Sequence, residues 1–585
     1  MCGITAYISF SKVDNQLINK LQACNRDMIY RGPDEQDVWH DEKVALAQVR
    51  LSIIGLNNGH QPLFNETRNI VLICNGEIYN YKELKQELQK KGHSFSSESD
   101  SEVILHLYEE CGEKLNDRLD GMFAYCLYDI ENQKILLGRD IAGKKPLYFA
   151  QTTEGYVFSS ELKAIKNHFF INPQINHEVL RQTQKYSYSI SLEDTYVQGI
   201  HKIPFASYGL VDLKKGSELK IHRYYKRHIN PVFFGDYVEA CEKVRELLFK
   251  AVEKRLQSEV PIAILLSAGI DSSAIACITR EYRENVHVLS AGYEGKHIVD
   301  EREEAKKLSN EKGFLWNEIE LKESDFLNNL QNIFSILDEP NGDVAMFAQS
   351  EIYKKAKEKK FTVLLSGNGG DELFFGYSGH NDYALGLQWI EQQKSLMPMK
   401  SKADVLKLLI KSLLKVGVLG KDNFLEKINI RYDYPVYNEL LQKALLQQIP
   451  LEREDWHRIN FDNQLDKVYY FLNYAWLTNN CYFLGDKLAM THSVEVRSPF
   501  ADRELISFVD TLPIEYKFRN ALPKQILKDS LKGILPDYVI QRKKSGFTPP
   551  TDFVNKLIEQ YQPLYFKEKP RTFAQLATDY FANKI

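Results

Sequence analysis

Short apolar runs punctuated by Gly, Asn and Asp fill the chain up to about residue 165. They predict strands at Ile4–Ser9, Val44–Leu51, Ile70–Cys74, Met122–Asp129, Lys134–Arg139, Tyr148–Ala150 and Tyr156–Ser159. Two stretches break that rhythm. Tyr81–Lys91 is charged and amphipathic, and Asp100–Cys111 places Val103 and Leu107 on one face, so both are predicted to be helices. This mixture suits two stacked sheets with helices outside. Residues 167–228 read as an irregular connecting segment, with a strand or two ending near Tyr224-Tyr225. The period then changes. Val238, Cys241, Val244, Leu247, Leu248 and Val252 recur at helical spacing, and strand Ile262–Leu266 follows. Val286–Tyr293, Trp316–Ile319 and Thr362–Leu365 continue as strands, alternating with helices Glu301–Lys312 and Phe347–Lys359, which predicts a parallel, doubly wound sheet. From about His380 onward the pattern is mostly helical, with Val405–Val418 as an amphipathic surface helix.

At roughly one domain per 150 residues, the 585 residues make room for two to four. The chain is 44% hydrophobic and 26% charged with a net charge of −4, so it offers no concentrated charge to a nucleic acid or an anionic membrane. Its eight cysteines (2, 24, 74, 111, 126, 241, 277, 481) include no CxxC pair and have no histidine cluster beside them. They fit neither a zinc site nor a disulfide framework and are read as free thiols in a reducing cytosol. No run reaches the ~20 apolar residues of a membrane span. The N-terminus lacks the basic and apolar regions of a signal peptide, so a cytoplasmic enzyme is expected.

The chain opens Met1-Cys2-Gly3-Ile4. Trimming of methionine before a small residue would leave Cys2 at the amino end. There the sulfur attacks a carbonyl while the α-amino group, of pKa near ~8, shuttles the proton. Arg31-Gly32-Pro33-Asp34, Arg50, Asn75-Gly76-Glu77 and Ser99-Asp100 lie at strand ends of the same region. Acyl transfer from a carboxamide needs oxyanion donors and a specificity pocket as well as a thiol. Asn75 offers a side-chain N–H and Gly76 an unhindered backbone N–H. Arg50 matches an α-carboxylate and Asp100 an α-ammonium. Singly, each has an ordinary reading: Asn-Gly is a common turn, and charged residues at strand ends form surface ion pairs.

Together they form a pattern. The opening tetrapeptide, Arg31-Gly32-Pro33-Asp34, Gly59-His60-Gln61-Pro62-Leu63, Cys74-Asn75-Gly76-Glu77-Ile78-Tyr79-Asn80, and Gly138-Arg139-Asp140 with Pro146-Leu147-Tyr148 resemble, in order and spacing, the class II glutamine amidotransferase domain. The resemblance implies an α+β N-terminal-nucleophile hydrolase, an αββα sandwich. It implies Cys2 as nucleophile, Asn75 and Gly76 as the oxyanion hole, and glutamine held by Arg50, Asn75, Gly76, Glu77 and Asp100. The product, ammonia, would be delivered elsewhere.

After strand Ile262–Leu266, Ser267-Ala268-Gly269-Ile270-Asp271-Ser272-Ser273 makes a small-residue turn into a helix. Free N–H groups and the helix dipole favour an anion there. The GxxxxGK(S/T) pattern of GTPases and ordinary ATPases is missing. A second loop, Ser366-Gly367-Asn368-Gly369-Gly370-Asp371-Glu372, follows Thr362–Leu365. Asp271 and Asp371 then fall at the carboxyl ends of strands in one sheet, where open α/β folds bind ligands. Two carboxylates facing a polyphosphate need a divalent cation, and Mg2+ suits one or two carboxylates plus phosphate oxygens.

These loops resemble the PP-loop ATP pyrophosphatase domain, an α/β fold, here with extra C-terminal helices. With the first region they resemble the glutamine-hydrolysing asparagine synthetase family. Asp338-Glu339-Pro340, Phe375-Gly376-Tyr377, Val494-Glu495-Val496-Arg497-Ser498-Pro499-Phe500 and Arg542-Lys543-Lys544-Ser545-Gly546-Phe547 extend the likeness. It implies ATP bound by Leu265, Ser267, Gly269, Asp271, Ser272, Ala291, Ser366 and Gly367, with Mg2+ on Asp271 and Asp371. Lys544 would neutralise the intermediate and the leaving pyrophosphate. Taken alone, a lysine in Arg-Lys-Lys is a solvated surface charge. On this reading residues 2–200 form the amidotransferase domain, 201–235 a linker and 236–585 the synthetase domain. A homodimer is expected because dimers are common among such relatives.

The implied reaction combines glutamine, ATP, water and a carboxylate acceptor through an acyl-adenylate, giving an amide, glutamate, AMP and pyrophosphate. Ammonia would cross a dry passage that keeps it unprotonated. Three departures bear on the acceptor. Ala268 stands where the family usually has Gly, which requires ordinary backbone angles there. Asn368 stands where many members carry an acid tied to forming the acyl-adenylate, and an amide cannot act as a base or counter-charge. Asn479-Asn480-Cys481-Tyr482-Phe483-Leu484 replaces a stretch often filled with Asp and Lys, although Asp486-Lys487 looks familiar. Aspartate leads as acceptor. The alternative is another carboxylate, such as a sugar uronic acid in surface-polysaccharide assembly or a peptide or antibiotic precursor. A catalytically idle scaffold or glutamine sensor is the reading from a different class. Cys2, Arg50, Asp100, Asp271, Asp371 and Lys544 together argue against that last one.

Overall fold

The computed structural model describes residues 2–170, 172–227, 232–295, 300–377, 381, 464–542, 549–565 and 572–584. The opening strand Cys2–Ser9 is buried along its whole length. Ile4, Ala6 and Ile8 enter one apolar cluster and Tyr7 another, as the two-residue period of a strand requires. This strand sits inside an antiparallel six-stranded sheet ordered Ile200–Lys202, Tyr148–Gln151, Gly155–Ser159, Cys2–Ser9, Val44–Arg50, Glu35–His40. A second antiparallel sheet runs Leu219–Arg223, Ser207–Asp212, Lys134–Arg139, Gly121–Asp129, Ile70–Ile78, Leu63–Phe64. The two pack face to face through Ile4, Ile8, Leu46, Ile73, Cys126 and Leu137. Helices Tyr81–Lys90 and Val103–Cys111 cover the second sheet through Leu84, Leu88, Ile104 and Leu107. Helices Asn15–Met28 and Leu162–Phe169 cover the first through Cys24, Met28 and Ala164 against Val49. Four layers result, the αββα sandwich.

The periodicity missed several pieces. Asn75-Gly76 is not a turn: strand Ile70–Ile78 runs straight through it, paired to Gly121–Asp129 along its length. Residues 167–228 are not an irregular connector. They hold helix His177–Tyr186 and the strands Ile200–Lys202, Ser207–Asp212 and Leu219–Arg223, which complete both sheets. Two of those strands lie within 201–235, read above as a linker. Edge strands are half exposed and carry weak apolar patterns: Leu219–Arg223 has no buried residue. Helix Asn15–Met28 falls where the pattern predicts no element, and the Asp14 side chain caps it by accepting from Leu17 N–H at 2.8 Å.

Helix Tyr237–Arg255 opens the second half with a capping box between Asp236 and Glu239. A five-stranded parallel sheet follows, ordered Leu315–Leu321, His287–Tyr293, Ile262–Leu265, Val363–Leu365, Glu495–Arg497. The chain leaves Ile262–Leu265 toward one edge and returns to its other side at Val363–Leu365. The switch point therefore lies between those two strands, where such sheets bind ligands. The fifth strand, Glu495–Arg497, was not anticipated from the pattern. The two halves share one apolar cluster, in which Leu51, Ile53, Tyr79 and Met122 join Val244, Leu248 and Leu365. The helix expected at Val405–Val418 lies outside the described residues. No helix among the described residues is long and apolar enough to cross a membrane.

Candidate active sites

Strand pairing sets Cys2 opposite Arg50, and the facing sheet brings up Asn75. The Cys2 backbone N–H donates to Asn75 Oδ1 at 3.1 Å, which leaves Asn75 Nδ2 buried without a hydrogen-bond partner. An orphaned buried donor is rare and costs ~1–3 kcal/mol. Beside a thiol, it is a group that a developing oxyanion would satisfy. Gly76 is required by close approach: a β-carbon there would lie 2.1 Å from the Met122 carbonyl oxygen. Burial pushes the Cys2 thiol above its ordinary pKa, opposed in part by the Arg50 charge. Gln61 Nε2 stands 3.7 Å from Sγ, and Gln61 is itself clamped to the Cys74 backbone by bonds of 2.6 and 3.0 Å.

Arg50 donates to Glu35 at 2.9 Å and to the Gly55 carbonyl at 2.8 Å. Asp100 accepts from Ile78 N–H at 2.6 Å, and burial pushes its carboxyl up to about 6. Glu77 is buried, and that burial, with Glu495 and Asp100 nearby, holds its carboxyl well above the usual range. Cys2, Arg50, Asn75, Gly76, Glu77 and Asp100 are thus gathered at one end of the sandwich. Arg31, of the Arg31-Gly32-Pro33-Asp34 motif, stands behind this group. It is fully buried and donates to the Cys2 carbonyl at 3.2 Å, Glu161 at 2.7 Å and Asp486, in the other half, at 2.9 Å.

The two loops of the parallel sheet meet at Asp271. β-carbons placed on Gly367 and Gly370 would lie 2.9 Å from Asp271 Cβ and 2.5 Å from Asp271 Oδ1. Ser267 Oγ accepts from Gly269 N–H at 3.2 Å, and Ser272 Oγ donates to the Ser267 carbonyl at 2.9 Å, which fixes the first turn. Ala268 keeps an ordinary backbone conformation, and its methyl is buried. Leu265, Ser267, Gly269, Asp271 and Ala291 remain partly open along this edge, as do Gly367, Asn368 and Asp371; Ser272 and Ser366 are buried.

Lys524, unnoticed in the sequence, spans the two carboxylates. Its Nζ pairs with Asp271 Oδ2 and with Asp371 Oδ1, the latter at 2.6 Å. Its backbone is left-handed at φ 56, and its N–H donates to the Phe374 carbonyl at 2.9 Å. Nothing local in Leu522-Pro523-Lys524 marks this role. Asp271 Oδ1 stays buried without a hydrogen-bond partner, an acceptor that suits a cation. Lys544 lies outside the described residues. The departures at 479 and 480 have structural work: Asn479 donates to the Ser189 and Ser191 carbonyls at 3.0 and 3.1 Å, and Asn480 to Asp343 at 2.7 Å. They belong to a π-helical segment, Leu472–Tyr482, within a longer helix.

A family model described as a glutamine amidotransferase domain matches residues 1–225, and one described as asparagine synthase matches residues 243–583. Asparagine synthetase (glutamine-hydrolyzing) 1 of Bacillus subtilis (strain 168) is 30% identical over 595 aligned positions, covering 96% of this chain and 90% of that protein. Number 3 of the same organism is 30% identical over 575 positions, covering 94% and 87%. A Zea mays asparagine synthetase (glutamine-hydrolyzing) is 31% identical over 398 positions, 64% of this chain and 60% of its own length.

Proposed function

Because the chain belongs to the glutamine-hydrolysing asparagine synthetases, we propose that it makes asparagine from aspartate, glutamine and ATP through an acyl-adenylate. The observation that carries the reading is the orphaned Asn75 Nδ2 beside the buried Cys2. Cys2 Sγ attacks the glutamine amide carbon, and Asn75 Nδ2 and Gly76 N–H receive the oxyanion. Ammonia leaves, and water hydrolyses the thioester to glutamate. Arg50 and Asp100 hold the α-carboxylate and α-ammonium of glutamine, with Glu77 beside them.

At the parallel sheet, ATP lies along the edge formed by Leu265, Ala291 and the loops 267–272 and 366–368. An ionised carboxylate is a poor electrophile. Transfer of AMP to it, with loss of pyrophosphate, supplies a leaving group that ammonia can displace. Asp271 and Asp371 would hold Mg2+, which would draw charge from the phosphates. Lys524 adds a fixed positive charge at the same edge, and Lys544 is assigned to the pyrophosphate on resemblance. Ala268 in its ordinary conformation, and the structural bonds of Asn479 and Asn480, leave Asn368 as the departure on the open edge. All eight cysteines are free thiols, which supports a reducing, cytoplasmic setting.

Cys2→Ala tests the scheme. Glutamine-dependent product should vanish, while added ammonia still yields asparagine with aspartate-dependent pyrophosphate release. Glutamine use that survives the substitution would refute the first site. Pyrophosphate released with a uronic acid but not with aspartate would refute the acceptor.

A further inference from the structure

Glu66, His93, His106 and Glu109 gather on the outer helix layer of the sandwich, and none of them belongs to the two sites described above. They present one ligand atom each within 4.8 Å of one another. Glu66 lies between strands Leu63–Phe64 and Ile70–Ile78, His93 follows helix Tyr81–Lys90, and His106 and Glu109 share helix Val103–Cys111. We propose that these four side chains form a structural site for a divalent first-row transition ion, with Zn2+ as the best match.

The distances fit. Tetrahedral bonds of ~2.0–2.2 Å place neighbouring ligand atoms roughly 3.3–3.6 Å apart. Here His106 Nδ1 stands 3.2 Å from Glu109 Oε2 and 3.6 Å from Glu66 Oε2. His93 Nδ1 stands 3.5 Å from the same Glu109 oxygen and 4.0 Å from Glu66 Oε1, the Glu66 oxygen that the Ser94 N–H holds. Two imidazoles with two carboxylates form a donor set that favours zinc and its neighbours over magnesium or calcium.

The outer partners are those of a built site. His93 turns its other nitrogen to a carboxylate, Nε2 to Glu110 at 3.0 Å, whereas His106 Nε2 lies 3.6 Å from Glu102, an ion-pair distance without a hydrogen bond. Each ligand carboxylate has an oxygen fixed as well, Glu109 Oε1 by Asn65 Nδ2 at 2.8 Å and Glu66 Oε1 by the Ser94 N–H at 2.7 Å. Carboxylate–histidine–metal relays of this kind orient ligands and raise affinity. His106 is fully buried with Phe95 against its ring at 4.3 Å, whereas Glu66 and Glu109 open to solvent and provide the entry. With four protein ligands and none left open, the ion would tie together three segments of the second sheet's outer layer and take no part in the amide chemistry.

The test uses the full-length chain carrying Cys2→Ala, so that the thiol does not compete, after chelator treatment. Titration calorimetry with ZnCl2 should find one equivalent, and Co2+ should give the intense visible bands of a tetrahedral site. His93→Ala or Glu109→Gln should abolish both signals. Glu110→Gln should weaken binding by about 10–100-fold. Zn2+ should raise the melting temperature of the parent and not of the His93→Ala protein, which keeps a folding defect from being mistaken for lost binding. The site is overturned if neither ion binds, or if the stoichiometry is unchanged by His93→Ala. The cluster would then be an ion network held by protonated histidine.

Discussion

Glu77 and Arg497 form an ion pair at 3.4 Å, and it ties the strand bearing Asn75 and Gly76 to the strand that supports the second loop. The Arg497 carbonyl accepts from the Ser366 N–H at 2.8 Å, so three bonded residues connect the glutamine pocket to the nucleotide edge. Arg497 is fully buried and is also bound by Glu495 at 2.5 Å and by the Gln257 carbonyl at 2.6 Å. Glu495, the nearer carboxylate, is held below its usual range despite burial, while Glu77 is held above it.

Removing that guanidinium strands two buried carboxylates. Arg497→Met should destabilise the protein by about 3–5 kcal/mol, read from the urea midpoint, and should depress glutamine-dependent synthesis. A midpoint that does not move would mean the pair has no structural weight.

Asn75→Ala removes the orphaned donor. Glutaminase kcat should fall about 10²–10³-fold, with ammonia-dependent synthesis retained. A loss confined to KM would assign Asn75 to ground-state binding instead.

Asp100 sets an acid limit. With its carboxyl near 6, kcat/KM for glutamine should be level at higher pH and fall as pH drops through about 6, because protonation removes the charge that faces the α-ammonium. Ammonia-dependent synthesis should lack this limb. The stability sign is the reverse of the usual carboxylate case. Folding raises this group from 3.8, so its burden on stability is present above about 6 and is relieved as pH falls toward 4. Asp100→Asn keeps an acceptor for Ile78 N–H and should raise the melting temperature at pH 7.5; a fall there would contradict the assigned burial cost.

Lys524→Met leaves Asp271 and Asp371 facing each other without their shared ammonium. Pyrophosphate release should be lost while glutaminase persists, and Mg2+ should raise the melting temperature of the variant more than that of the parent. Equal Mg2+ responses would show that Lys524 and the cation do not share these carboxylates.

Local pattern was enough to place most of each strand that buries both faces, Ile4–Ser9 of Cys2–Ser9 and Ile70–Cys74 of Ile70–Ile78, because an interior strand is rich in apolar residues. It was also enough to identify the residue types that chemistry needs near each strand end, from Cys2 and Asn75 to Asp271 and Asp371. Edge strands such as Leu219–Arg223 stayed hidden, since exposed residues face no such demand. Hidden too were the charges that fasten the halves together. Arg31 meets Asp486 across 455 positions of sequence, and Lys145 meets the same carboxylate across 341. A buried charge needs a partner within a few ångströms but places no condition on how far along the chain it lies. Which charges end up paired was therefore decided only when the tertiary fold packed the two halves together.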